Sequence, residues 1–426
     1  MRVFYDLIFT LFSFLYFPYF VLKRKYHKEF IQRFGILPKG IFEKIKGHKV
    51  IWIHAVSVGE VNAALPLCKL LRQNFPQSKI VFSTITQTGN KLARKFVRPN
   101  EIAIYFPFDF SSIVNKVIEL INPRLVIILE TEIWPNFISQ CKKNGIPIFL
   151  VNARISDNSF VRYKLAEVFL KPVLNKINLI LTQTDKDARR IISLGADENK
   201  VKVTGNMKFD NTDYTDSKKD YADLRLKLGM GTKEKLLVAG STHPGEEKII
   251  LSVYKELLPQ TPDLRLLIAP RHIERVPELE LLVNKKGFSF LKISYLNQAP
   301  STKHQAPVFI LDTIGQLKNF YAVADIVFVG GSLIKKGGHN IIEPAIFSKP
   351  IISGKHYFNS PDIFRVFIDN QAILICQGKG ELKQGIIDLL ENPEKARKLG
   401  IRGREVVLKQ QGATQENLEF IRNYLH

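Results

Sequence analysis

Two segments carry residue types whose spacing suits chemistry. His54-Ala55-Val56-Ser57-Val58-Gly59-Glu60 closes an apolar run and sets one carboxylate where a strand turns into a helix. Gly330 to Pro344 reads Gly-Gly-Ser-Leu-Ile-Lys-Lys-Gly-Gly-His-Asn-Ile-Ile-Glu-Pro, a glycine-rich loop opening into a helix. Glycines let the backbone approach a ligand closely, and the free N–H groups of a helix starting near Asn340 suit an anion. Glu343, one turn in, is placed to accept two hydrogen bonds from ribose hydroxyls. A single base opposite a phosphate-and-ribose cradle is what sugar transfer from an activated nucleotide requires. Glu60 has a second reading, because an acid in a first helical turn is stabilising by itself, by ~0.3–1 kcal/mol. On that motif alone the structural role is the simpler one.

Further polar groups fall where apolar runs end. Glu130-Thr131-Glu132-Ile133-Trp134-Pro135-Asn136 offers two carboxylates on one face if the chain stays extended. Helix capping and pairing with a cation account for them equally well. Asn152 to Ser156 ends the next run, and Gly205-Asn206-Met207-Lys208-Phe209-Asp210 ends the first half. The Lys208 ammonium there can neutralise a carboxylate or phosphate. In the second half Ser241-Thr242-His243-Pro244-Gly245-Glu246-Glu247 is a phosphate-adjacent loop or a good helix cap. Arg271, after Pro270, can clamp a phosphate with two parallel bonds, whereas His272 reads as structural.

Several chemistries lack their signatures. Neither GxGxxG after the first strand nor GxxxxGK[ST] occurs, so dinucleotide and P-loop readings fall away. His54, His243, His272 and His339 lie in separate loops without HxxxH spacing, so no metal site is indicated. The only Asp-x-Asp element, Asp185-Lys186-Asp187, stands past the run at 178–183 and does not close it, so none ends a strand to hold a divalent cation on a diphosphate. Metal-independent chemistry on a donor with one phosphate is the expectation.

The elements that must position these residues follow from pattern. Short Val, Ile and Phe-rich runs at 50–55, 79–85, 101–106, 125–130, 147–152 and 178–183 alternate with helix-length segments such as Val61 to Gln73 and Ser159 to Ile177. A second series stands at 236–240, 264–268, 288–293, 307–311, 326–330, 350–353 and 372–376, and the last stretch is helical, interrupted near Gly400 and Gly412. Alternating strand and helix predicts two parallel, doubly wound α/β domains, with ligands at the carboxyl ends of the strands and in the cleft between the domains. The boundaries expected are 1–22 for an N-terminal anchor, 23–210 for the first domain, 211–235 for a polar connection with one short helical pattern at Asp220 to Leu228, and 236–426 for the second domain with its C-terminal helices.

At 426 residues, two domains are the default. A formal charge of +22 points to polyanions, whether nucleic acid, an anionic membrane or phosphorylated substrates. Three scattered cysteines with no CxxC argue for a reducing compartment. Residues 1–22 are aromatic and apolar, with Arg2 and Asp6 the only charges, and Lys23, Arg24, Lys25 and Lys28 follow. This reads as a membrane anchor with the body on the cytoplasmic side. Asp6 and Pro18 leave open whether it spans or lies in the interface. Residues 29 to 45 read either as an amphipathic, membrane-proximal patch able to receive a lipid or as a solvated face over a core stripe.

Taken in order, these motifs resemble the Kdo transferases of lipopolysaccharide and lipid A biosynthesis, Kdo being 3-deoxy-manno-octulosonic acid. The carriers are His54 to Glu60, Glu130 to Asn136, Asn152 to Ser156, Gly205 to Asp210, Ser241 to Glu247, Pro270 to Arg275, Asp312 to Leu317 and Gly330 to Pro344. The resemblance implies a GT-B fold of two Rossmann-like domains, and inverting transfer of Kdo from CMP-Kdo to an acylated, bisphosphorylated lipid A precursor. It implies an enzyme of the bacterial inner membrane with no cofactor beyond its donor substrate. It places Glu60 as general base and Glu130 and Lys208 as transition-state stabilisers. It assigns CMP binding to Pro270 and Arg271, to Ile314, Gly315 and Gln316, and to Asn340, Ile341, Ile342 and Glu343. The family usually has Glu at the place of Gln316, and Gly-Pro-His where this chain reads Gly354-Lys355-His356.

Two other readings remain. One is a different GT-B enzyme, either a UDP-sugar transferase or an epimerase. The other is a non-catalytic basic protein at an anionic membrane. The charge supports the latter, but no nucleic-acid motif with interleaved aromatics is present, so nucleic acid is not an expected partner.

Overall fold

The computed structural model describes residues 5–7, 9–11, 15, 29–38, 40–211, 218–296 and 307–425. They form two compact units, one of Met1–Asn211 with Gln410–His426 and the other of Thr212–Lys409.

The first unit is built on seven strands: β1 (Lys49–His54), β2 (Ser78–Thr84), β3 (Ile102–Tyr105), β4 (Leu125–Leu129), β5 (Ile148–Ala153), β6 (Leu179–Thr182) and β7 (Val201–Val203). Their spatial order is β3-β2-β1-β4-β5-β6-β7, and every pairing is parallel. β1, β3, β4 and β5 are buried almost throughout, which is why they read as unbroken Val and Ile runs. Trp52, Ile128 and Leu150 pack one face of the sheet, and Ile53, Ile127 and Phe149 pack the other. The strand order reverses direction between β1 and β4. Crevices at the carboxyl ends of strands beside such a switch are where ligands bind in open parallel sheets.

The second unit repeats the plan with β8 (Lys235–Thr242), β9 (Leu264–Pro270), β10 (Phe290–Lys292), β11 (Val308–Ile310), β12 (Ile326–Val329), β13 (Ile351–Gly354) and β14 (Leu374–Cys376). The order is β10-β11-β9-β8-β12-β13-β14, again all parallel, with the switch between β8 and β12.

Two expectations change and one is met. The last helix, Ala413–Leu425, belongs to the first unit and not to a second domain running to 426. Leu418 and Ile421 are buried with Leu67 and Leu71 of the helix Val58–Asn74, and the Asp210 carboxylate accepts the Gly412 and Thr414 N–H groups at 2.7 and 2.6 Å. The short helical pattern expected in the connection at Asp220 to Leu228 is the helix Lys218–Lys227, and Arg225 on it pairs with Asp325 at 3.0 Å. The segment Ser159 to Ile177 is two helices, Asp157–Leu165 and Glu167–Leu174.

Most of the anchor expected at 1–22 lies outside the described residues. No helix among the described residues is long and apolar enough to cross a membrane. Asp6 is tied down, with one oxygen accepting from the Asn136 amide at 2.6 Å and the Ser111 N–H at 3.3 Å. In the 29–45 segment the core-stripe reading is met in part. Leu37, Ile41 and Phe42 pack on the core and Phe30 and Phe34 meet Phe108, while Ile31 and Ile36 are exposed.

Candidate functional site

In the first unit, Ser57 caps the helix Val58–Asn74, and Glu60 sits three residues on, buried. This is the Ser-x-x-Glu capping box, with the return bond shifted by one residue. The Glu60 carboxylate accepts the Val56 N–H at 2.7 Å on Oε2 and the Ser57 hydroxyl at 2.9 Å on Oε1. Burial raises its pKa from 4.5 to about 7, helped by the nearby Glu130 charge and opposed by those two hydrogen bonds and by Lys208. A buried carboxylate poised near neutrality is matched to general-base work.

Glu130 ends β4 in the left-handed region, φ 55°, as does Asn152 near the end of β5, φ 57°. A side chain held there costs of order 1–3 kcal/mol, and such strain clusters at functional sites. Because the chain turns at Glu130, the extended geometry expected for Glu130 and Glu132 does not form. Glu130 instead receives the Lys208 ammonium at 2.7 Å. Lys208 is set by two asparagines, since Asn206 Oδ1 accepts its N–H and Asn152 Oδ1 accepts that of Met207, both at 3.0 Å. Sequence offered Glu132 as the second of two candidate carboxylates but assigned it no role. Burial and the charges of Glu60 and Glu130 push its pKa up to about 8. Glu60, Glu130, Glu132 and Lys208 therefore form one electrostatic group at the β1/β4 switch. From below, buried Asp109 fixes the helix Pro135–Lys143 by accepting the Asn136 and Phe137 N–H groups at 3.0 and 2.8 Å. His54 is a core residue: it is fully buried, its ring stacks on Phe106 at 3.9 Å, and burial lowers its pKa to about 3.

In the second unit the loops after β8, β9, β11, β12 and β13 carry the candidates. Glu246 has no exposed surface, and its carboxylate accepts four backbone N–H groups: His243 and Gly331 on Oε2, Ser332 and Leu333 on Oε1, at 2.7–3.0 Å. The N–H groups at the start of the glycine loop are thus occupied by an internal carboxylate and are not offered to a phosphate. Close approach explains two of the glycines. A Cβ at Gly330 would stand 2.5 Å from the Ser241 carbonyl oxygen, and one at Gly354 would stand 2.3 Å from that of Ser332.

The helix expected from Asn340 is one turn, Ile342–Ile346, with Pro344 inside it. Ile341 and Ile342 are core side chains, leaving only their backbone to a ligand. Asn340 Oδ1 accepts the Ile342 N–H at 3.0 Å, and its amide donates to Glu343 at 3.1 Å. Burial raises the Glu343 pKa. Ile314, Gly315 and Gln316 make an exposed turn before the helix Leu317–Val323. Arg271 is exposed at the end of β9, with its N–H bonded to Thr242. Three of the histidines that sequence left apart come together. His243 and His339 face each other, Nε2 to Nε2 at 2.8 Å, and the His272 ring lies 5.8 Å from that of His243. No three His, Cys, Asp or Glu residues are grouped to hold a metal ion among the described residues.

Residues 28–211 match the model of the 3-deoxy-D-manno-octulosonic-acid transferase (kdotransferase) family, and residues 233–406 match that of glycosyl transferases group 1. The 3-deoxy-D-manno-octulosonic acid transferase of Haemophilus influenzae is 36% identical over 94% of this chain and 92% of its own. The chain belongs to the kdotransferase family. A second kdotransferase relative, from Chlamydophila psittaci, is 32% identical over 91% of this chain and 88% of its own. Among solved structures, the UDP-GlcNAc 2-epimerase of Neisseria meningitidis superposes with a TM-score of 0.61 at 15% identity, over 88% of this chain and 100% of that one. At that identity the likeness shows the fold alone, two parallel α/β units in the manner of GT-B glycosyltransferases. As a kdotransferase-family member the protein is a glycosyltransferase enzyme, and Glu60, Glu130 and Lys208 sit where its first sheet reverses order.

Proposed function

We propose that this protein transfers Kdo from CMP-Kdo to an acylated, bisphosphorylated lipid A precursor, with inversion at the anomeric carbon, in lipopolysaccharide synthesis. The observation that carries the reading is Glu60. In a chain of the kdotransferase family it is a buried carboxylate at the switch point of a parallel sheet, with its pKa drawn up to about 7. Glu60 takes the proton of the acceptor hydroxyl as the new C–O bond forms and the bond to the CMP phosphate breaks. The departing phosphate needs its charge balanced and no proton, so one base suffices. Lys208, held by Glu130, supplies positive charge to the oxocarbenium-like transition state's anionic partner. Pro270, Arg271, Ile314 to Gln316 and Asn340 to Glu343 hold CMP, with Ile341 and Ile342 acting through their backbone. The reaction proceeds without a metal ion or cofactor.

The acceptor is a membrane lipid, and the protein works at the cytoplasmic face of the inner membrane. Support comes from the +22 charge and from an exposed apolar run, Val161, Leu165, Val168 and Phe169, on consecutive helices that also carry Arg162, Lys164 and Lys171.

The test incubates the protein with CMP-Kdo, tetra-acylated lipid A precursor and a chelator, and weighs the product. One, two or three added Kdo masses are expected. Glu60→Gln should bind CMP as tightly as the parent and lose turnover by ~10²–10⁴-fold, the usual worth of a general base. Turnover with UDP-sugars in place of CMP-Kdo, or undiminished turnover by the Gln variant, would overturn the reading.

A further inference from the structure

The His243–His339 pair stands where the second sheet reverses order, between β8 and β12, and none of the CMP-binding assignments uses it. Its geometry is fixed from beneath by one buried group. Glu246 holds the His243 N–H and the Gly331 N–H on the same oxygen, at 3.0 and 2.7 Å. The Gly338 N–H in turn bonds to the Gly331 carbonyl at 2.8 Å, bringing the adjacent His339 back over the loop. The two rings lie 8° from parallel with centroids 5.0 Å apart, and their Nε2 atoms meet at 2.8 Å. At that separation one nitrogen carries the hydrogen and the other accepts it, and with burial holding both imidazoles below their usual range the pair is uncharged near neutral pH.

The surroundings are cationic. Arg271, His272, Arg275 and Lys336 all act on His243, and Arg271 and His272 act on His339. Arg275 is already paired with Glu247 at 2.8 Å, and Glu246 spends both oxygens on backbone N–H groups. Among the described residues Arg271, His272 and Lys336 form no ion pair with a carboxylate. Glu343, itself bonded to Asn340, is the acid whose charge Arg271 feels. Burial first, and these cations second, hold both imidazoles below their usual range. Arginine and lysine cations around an imidazole pair suit the binding of an oxyanion.

We propose that His243 and His339 bind the phosphate of the nucleotide donor as a pair and take up one proton as it enters. The N–H···N bond between the rings breaks. The incoming proton comes from solvent, each Nε2 then carries a hydrogen, and both donate to phosphate oxygens. No other bond changes. The inference rests on the reading that the second unit holds the donor nucleotide. An opposite charge at hydrogen-bond range raises an imidazole by ~1–3 pH units, so uptake belongs between about pH 5 and 7.

The test titrates the full-length protein calorimetrically at pH 6 with the methyl ester of CMP, a phosphodiester that does not itself titrate near that pH. Buffers of different ionisation enthalpy report the protons exchanged. The wild type should take up a large fraction of one proton per ester bound. His243→Gln and His339→Gln keep a hydrogen-bonding group but cannot take that proton, and each should abolish the uptake and weaken binding at least ~10-fold. Ester binding without proton uptake, or uptake unchanged in both variants, overturns the inference and leaves the donor reading standing. Failure of the wild type to bind the ester at all overturns both.

Discussion

At the scale of residues, the base proposed at Glu60 would join a structural and a chemical role on one carboxylate. The capping box was legible in Ser57-x-x-Glu60, and it holds the charged form through two hydrogen bonds. Burial and Glu130 oppose it more strongly, and no local pattern announces that balance. With a folded-state pKa raised from 4.5 to about 7, Glu60 favours folding most below pH 4.5, and that contribution is lost as pH rises through 7. Activity runs the other way, because the base works only when deprotonated. A plot of kcat/KM against pH should therefore climb to a plateau above about 7, the apparent midpoint belonging to the interacting carboxyls Glu60 and Glu132 together. Ser57→Ala removes both the cap and one hydrogen bond to the carboxylate. It should cost about 1 kcal/mol in urea unfolding and move that acid limb to higher pH. A limb that stays in place would show that Glu60 is not the group titrating. The positive φ of Glu130 and the meeting of His243 with His339 were not legible, since the first is imposed by the strand's exit and the second joins residues in separate loops.

At the scale of elements, the alternation of buried runs and helices revealed thirteen of fourteen strands, because strands buried on both faces stand out as unbroken Val and Ile. β7 escaped because it is three residues long and buries only Val201. The glycine loop was recognised for a different reason from the one that holds it. Its glycines admit the backbone of neighbouring loops, and its N–H groups close on Glu246. The distinction is measurable. A Cβ at Gly354 meets the Ser332 backbone at 2.3 Å, where no flexible side chain can yield. Gly354→Ala should lower unfolding stability by at least ~2–3 kcal/mol and weaken CMP binding along with it. Gly380, inside the helix Lys379–Glu391, has nothing within 4 Å of its Cβ position. Gly380→Ala should stabilise by up to ~1 kcal/mol with CMP affinity unchanged. Equal losses in the two variants would remove the close-packing account.

At the scale of the whole molecule, charge and chain path each make a claim. The excess of cations predicts binding to vesicles containing anionic lipid, falling steeply with salt. Leu165→Glu with Val168→Glu should weaken that binding in sedimentation without altering CMP affinity, since both side chains are exposed and lie in the first unit. The chain path is the less expected claim. The first unit is completed only when the chain returns at Gln410, after the whole of the second has been made. The returning helix buries Leu418 and Ile421 against the helix whose first turn carries Glu60, and Tyr424 adds a hydrogen bond to Asn178 at 2.6 Å. Burying each large aliphatic side chain is worth ~1.5–3 kcal/mol, so ending the chain at Lys409 removes several kcal/mol from one unit and none from the other. Urea unfolding of that truncation should show one transition moved to lower denaturant and the other unmoved. CMP affinity, a property of the second unit in this reading, should persist while transfer falls, because the scaffold under Glu60 has lost its packing. Two transitions displaced together would show that stability is not partitioned as the chain path implies.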